Sequence, residues 1–85
     1  MYKLRHSNAA VAAVWDSLPT DAREELDLAL FDTIEDPYGA TQPVNGDNPA
    51  DVERTLTLRF TSVTLLIIDA PPIRRVYLRT IDLIG

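Results

Sequence analysis

The C-terminal part of the chain most narrows what the sequence can fold into. Three consecutive segments there carry their side chains in a two-residue rhythm, which sends alternate residues to opposite faces of a strand. In ERTLTLRF, Arg54, Leu56, Leu58 and Phe60 share one parity, and Glu53, Thr55, Thr57 and Arg59 share the other. TSVTLLIID is denser in apolar residues and reads as a central strand covered on much of both faces. IRRVYLRTIDLIG sets Val76, Leu78 and Ile84 on one face, with Thr80 and Asp82 between them. Its other face carries Arg75, Tyr77 and Arg79. The links are short. Phe60-Thr61-Ser62 lacks the Asn-Gly or Gly of common hairpin turns. The second link is Asp69-Ala70-Pro71-Pro72-Ile73, with prolines placed outside the ladder. Sequential strands joined in this way pair antiparallel.

The upstream half supplies what covers such a sheet. YKLRHS alternates and predicts a short first strand. SNAAVAAVWDSLP predicts a helix capped by Ser7 or Asn8, with Val11, Val14, Trp15 and Leu18 on one face. Pro19 stops it. TDAREELDLALFDTIEDP predicts a second helix, in which Asp21 and Glu24 resemble a capping box. Ala22, Leu26, Leu30 and Ile34 form its stripe, bordered by Ala29 and Thr33. The very short link between the helices predicts an antiparallel helical hairpin. PYGATQPVNGDNPAD, rich in Pro, Gly and Asn, reads as a long loop. The expected fold is α+β, of order β-α-α-β-β-β. The hairpin packs on one face of a small, antiparallel-rich sheet, and residues 1–85 form one domain.

Composition excludes several classes. With 85 residues and no cysteine, the chain has neither a disulfide framework nor a thiolate zinc site, which suits a reducing cytoplasm. The N-terminus lacks the apolar core of a signal peptide. The longest apolar run, Leu65-Leu66-Ile67-Ile68, is far too short to span a bilayer, so no membrane partner is expected. The net charge of −5 hides a segregation. Residues 16–53 hold eleven acids against Arg23 alone, whereas residues 54–85 hold five arginines against Asp69 and Asp82. A charged ligand responds to the local field and not to the sum.

Most catalytic signatures are missing: there is no G-x-G-x-x-G, P-loop, H-E-x-x-H or G-x-S-x-G. No cofactor or metal is expected. His6 and Trp15 read as packing residues, and the acids of residues 16–53 as solvated helix faces and loop. The closing strand differs. If Lys3, Arg5 and Arg59 join Arg75, Tyr77 and Arg79 on the side away from the helices, that face carries five cations and a phenol. Arginine offers a fixed fork of donors to phosphate, and tyrosine can stack on a base or exchange a proton. The competing account is a solvated outer face of an antiparallel sheet.

The strand, the helices with their LPTDAREELDLAL segment, EDPYGATQPVNG, and then RTLTLRF, TSVTLLIID and RRVYLRTIDLI resemble the RelE/ParE superfamily of bacterial toxins. The resemblance covers nearly the whole chain and rests on order, spacing and the L-P-x-x-A-R and D-P elements. It implies a toxin-like component of a type II toxin–antitoxin module, partnered by a cognate antitoxin that wraps around it; a homo-oligomer is compatible with it. RelE-like members cut messenger RNA on the ribosome, and ParE-like members poison gyrase. The resemblance makes Arg75, Tyr77 and Arg79 the catalytic candidates, and Arg59, Lys3 and Arg5 the substrate-binding ones. Two family features are absent. Thr64 stands where a basic residue is usual after the second strand, and Leu83-Ile84 stand where a His-Arg or Arg…Tyr element is usual. The site of an mRNA endoribonuclease is therefore incomplete. A non-catalytic module of the same fold, binding an antitoxin-like segment, is the alternative, and a gyrase-inhibiting toxin lies between the two.

Overall fold

The computed structural model describes residues 1–46 and 48–84. Asp47, in the expected long loop, and Gly85, at the close of the last segment, lie outside the described residues. The first strand, β1, spans Lys3–His6. Helix α1, Ala9–Ser17, starts where Asn8 Oδ1 accepts from the Val11 amide at 3.0 Å. Asn8 is thus the cap, satisfying one of the donors that a helix start leaves unpaired. Helix α2, Thr20–Glu35, has Pro19 at its cap position and no side-chain cap, so the Asp21–Glu24 box does not form. Pro19 instead presets the backbone for entry into the helix, and Asp21 lies inside the first turn, where its charge suits the macrodipole.

The stretch expected as an unbroken loop contains two elements. Helix α3 is the single turn Pro37–Ala40, and β2 is the pair Gln42–Pro43. Asp36 caps α3 by accepting from the Gly39 amide at 3.2 Å, with Pro37 in the first turn. A side chain at position 39 would collide with the Asp36 carboxylate, which accounts for glycine there. Then come β3, Glu53–Thr57, β4, Thr61–Ala70, and β5, Ile73–Leu83. They form one five-stranded mixed sheet in the order β1-β5-β4-β3-β2. Neighbours pair antiparallel except β1 and β5, which run parallel. The last strand is therefore interior, with β1 and β2 at the edges.

Both long helices lie on one side of this sheet. Helix α1 packs on β5 and β1, α2 contacts the same two strands and meets α3 more extensively, and the two long helices touch each other little, so the expected hairpin is spread over the strands. Val11, Leu18, Leu26 and Leu30 meet Leu56, Val63, Leu65, Ile67, Val76, Leu78 and Ile81 in a single core. Burying such an aliphatic side chain contributes about 1.5–3 kcal/mol. The β3–β4 turn holds Arg59-Phe60 without a glycine. Glu25 of α2 supports it, its Oε1 accepting from the Arg59 and Phe60 amides at 2.9 and 3.2 Å.

One buried residue is a cation. Arg54 on β3 is 2% exposed. Its Nε donates to Thr41 Oγ1 at 2.9 Å, Nη1 to the carbonyls of Pro49 and Asp51 at 2.9 and 3.2 Å, and Nη2 to those of Tyr38 and Thr41 at 3.1 and 2.9 Å. That count matches the full donor set of a guanidinium. Tyr38 also lays its ring 5.2 Å from the guanidinium carbon. Desolvation is thus offset by oriented carbonyls and a π face, with no carboxylate in hydrogen-bond contact among the described residues. Replacing Arg54 with Met fills similar space but strands four carbonyl partners. Loss of about 3 kcal/mol or more is expected in urea unfolding, with Arg54→Lys recovering only part of it. An unchanged unfolding midpoint in Arg54→Met would show that the loop does not depend on this residue.

Candidate functional site

The side of the sheet away from the helices is uncovered. Parallel pairing of β1 with β5 sets Lys3 beside Arg75 and Arg5 beside Tyr77. Paired residues on adjacent strands point the same way, so Lys3, Arg5, Arg75 and Tyr77 form a two-by-two patch on the open face. Lys3 and Arg5 are exposed, and Arg75 and Tyr77 half-buried. Arg75 Nη1 donates to the Tyr77 hydroxyl at 3.1 Å. That bond occupies one lone pair of the phenol oxygen and leaves its proton free to donate outward. On β4, Ile68 pairs with Arg75 and Leu66 with Tyr77, so an apolar shelf flanks the cations.

Arg79 sits differently from a plain continuation of this row. Thr64 pairs with Thr80 and Leu65 with Leu78, so Arg79 is the extra residue of a bulge. Beyond it the facing of β5 reverses. Ile81 enters the core, while Thr80 and Asp82 pair with Thr64 and Ser62 on the open side. This corrects the expectation of Thr80 and Asp82 on the Val76–Leu78 face. The apolar interval widens from two residues to three between Leu78 and Ile81, and the bulge absorbs the extra one. Arg79 Nη1 then reaches Glu53 Oε1 at 3.6 Å, across the width of β4. Thr64 Oγ1 and Thr80 Oγ1 share a hydrogen bond of 2.6 Å.

Arg59 lies apart from the patch. It sits in the β3–β4 turn, held through its backbone to α2, with its guanidinium 4.8 Å from the Phe60 ring centroid. The open strands thus carry Lys3, Arg5, Arg75, Tyr77 and Arg79, with Glu53 offsetting the last. Glu53 and Arg54 were passed over in the sequence. Their strict alternation gave Glu53 the outward position, but nothing in the spacing of ERTLTLRF distinguishes a buried arginine from an edge one. His6 faces the helices, its ring 6.1 Å from that of Trp15. Among the described residues, no group of His, Cys, Asp and Glu side chains could hold a metal ion, and no helix is long and apolar enough to cross a membrane. No protein-family model, characterised protein or solved structure matches the chain.

A second polar cluster closes the end of the sheet where β1 begins. Arg74 Nε contacts Asp69 Oδ1 at 3.2 Å, and the Arg74 guanidinium lies 5.3 Å from the centre of the Tyr2 ring. Burial, chiefly, raises the Tyr2 phenol above its ordinary value, and the interaction with Asp69 adds to this. The Asp69 carboxyl is lowered, first by hydrogen bonding with Tyr2 and then by Arg74. A depressed carboxyl stabilises the fold above its ordinary value of 3.8 and loses that contribution as pH falls through the folded value. Asp69→Asn should therefore have a flatter dependence of melting temperature on pH below 4 (roughly, given the reference carboxyl range). An identical acid slope in the two proteins would show that this contact is not linked to folding.

Proposed function

We propose that this chain is the toxin-like component of a bacterial type II toxin–antitoxin pair, built on a RelE/ParE-like version of the α+β fold, and that its open sheet face holds RNA. The observation that supports the reading is the Lys3–Arg75 and Arg5–Tyr77 patch, four side chains from the two ends of the chain set on one uncovered face. Lys3 and Arg5 neutralise backbone phosphates and position the strand. Leu66 and Ile68 give bases and sugars an apolar shelf. A cognate antitoxin would repress the protein by covering this face, and the target is messenger RNA on the ribosome, in the cytoplasm.

If cleavage occurs, the ribose 2′-hydroxyl gives up its proton to water and attacks the adjacent phosphorus, forming a 2′,3′-cyclic phosphate as the bond to the 5′ oxygen breaks. Arg75 is placed to stabilise charge on the phosphate, with Arg79 available once released from Glu53. Tyr77 is the proton donor to the leaving oxygen. Binding without cleavage is the second reading, and one observation favours it. Among the described residues Tyr77 has no second proton-transfer group beside it, since His6 faces Trp15 and Glu53 is engaged with Arg79.

Induction of the chain alone in bacteria should arrest growth, and Arg5→Ala with Arg75→Ala should abolish the arrest. Arg5 is exposed and its loss should cost no more than about 0.5 kcal/mol, whereas Arg75 is half-buried and bonded to Tyr77, so its loss should cost about 1 kcal/mol, and a melting curve confirms that the double variant is folded. Normal growth with soluble, folded wild-type protein would overturn the toxin reading. Arrest with Tyr77→Phe as strong as with wild type, alongside intact message, would assign the effect to binding alone.

A further inference from the structure

Strand β5 is paired with β4 along its length, but on its other side β1 reaches only residues 75–78. The last bond from that side runs from the Ser7 amide to the Leu78 carbonyl, at 3.0 Å. From residue 79 to residue 83 the strand has a bare edge. Antiparallel pairing turns the peptide groups of alternate residues toward a given neighbour. The Ile84 amide donates to the Phe60 carbonyl, just before β4, at 2.8 Å. By alternation Asp82 and Thr80 also bond toward β4, and Ile81 and Leu83 turn N–H and C=O outward. Among the described residues no other strand pairs with them. Such a row is a template for one more strand.

Three features say which strand. The first is the backbone. Ile81 presents a donor and an acceptor on the same edge, so a second Ile81 related by a two-fold axis can exchange both bonds with it. The second is shape. Leu83 pairs with the buried Thr61, which puts its side chain on the helix side, yet it is 57% exposed. On that same side a hollow of about 240 Å³ lies between Asn8, Ala10, Val11 and Val14 and residues 79–81 of β5. In an antiparallel pair centred on Ile81, Leu83 of each copy stands opposite residue 79 of the other, at this hollow. The third is charge. The segment Arg-Thr-Ile-Asp-Leu carries a cation at its start and an acid near its end, both exposed. Antiparallel self-pairing sets Asp82 opposite Thr80 and beside Arg79, whereas in-register parallel pairing would set like charges together. We infer that the bare edge of β5 pairs with the same edge of a second copy of this chain. The product is a two-fold dimer with one ten-stranded sheet, in which each Leu83 fills the hollow of its partner. An isologous contact of this kind closes on itself and leaves no further edge to extend.

Sedimentation velocity of the full chain at high micromolar concentration should give twice the 9.5 kDa of one copy. Leu83→Asp, confirmed folded by its melting curve, should weaken dimerisation at least about 10-fold, since it places a charge where an apolar side chain is buried. Register is read with disulfides, because the chain has no native cysteine. Residues 80 and 82 would face each other as a non-hydrogen-bonded pair about 4.5 Å apart, within disulfide reach, whereas each is about 7–8 Å from its own copy. T80C/D82C should therefore form a covalent dimer on mild oxidation, and T80C or D82C alone should not. A monomeric wild-type chain would overturn the inference. So would a folded L83D that dimerises as tightly as wild type, or single variants that cross-link as readily as the double one.

Discussion

The Arg54 guanidinium is the interaction on which the β2–β3 side of the domain depends. A one-turn helix, a two-residue strand and the connection to β3 have little apolar surface with which to hold a shape. Their backbones converge on one side chain. Tyr38, Thr41, Pro49 and Asp51 all present carbonyl oxygens to it. A charge buried without a carboxylate is costly in itself, and it persists only where every donor is used. The cost therefore acts as specificity. Another path for residues 36–52 would strand the charge, so the loop and the edge of the sheet are set together.

The opposite edge follows a different logic. A parallel strand pairs a little less favourably than an antiparallel one and needs a long connection, which here takes in every element from α1 to β4. Its consequence is chemical. Lys3 and Arg5 come from the start of the chain and Arg75 and Tyr77 from its end, and only the β1–β5 register makes them neighbours. Exposed cations on an edge strand also discourage pairing with a second copy of that edge. The same residues thus charge the edge of the sheet and furnish the open-face patch.

The architecture was readable where periodicity and punctuation agreed. The three C-terminal strands, both long helices, a cap at Ser7 or Asn8 and the common facing of Arg75 and Tyr77 follow from residue spacing alone, and the structure selects Asn8. Three features did not. The bulge at Arg79 was hidden because the alternation was carried past Leu78, although the three-residue interval from Leu78 to Ile81 signals a change of phase. The elements inside the long loop were hidden because Pro, Gly and Asn mark turns, and Arg54 supplies the order from outside the segment. The Arg59 position depended on a turn whose geometry comes from Glu25, a residue thirty-four places earlier. For the loop and for Arg59 the deciding contact is non-local, and local pattern carries no record of it; the bulge alone left a local trace.

The remaining question of charge has a physical answer. A protein with net charge −5 should repel a polyanion, yet its open face is basic. Asp21, Glu24, Asp27, Asp32 and Glu35 are exposed on α2, behind the sheet. Helix and sheet layers lie about 10 Å apart, and screening at physiological ionic strength acts over about 8 Å. Charges on the outer surface of α2 are therefore largely screened from a ligand on the far side of the sheet. What such a ligand meets is Lys3, Arg5, Arg75 and Arg79, less Glu53 and Asp82. The acidic layer biases the approach of an anion toward the open face, where cations outnumber acids. Segregation of charge by layer lets an acidic chain present a cationic surface.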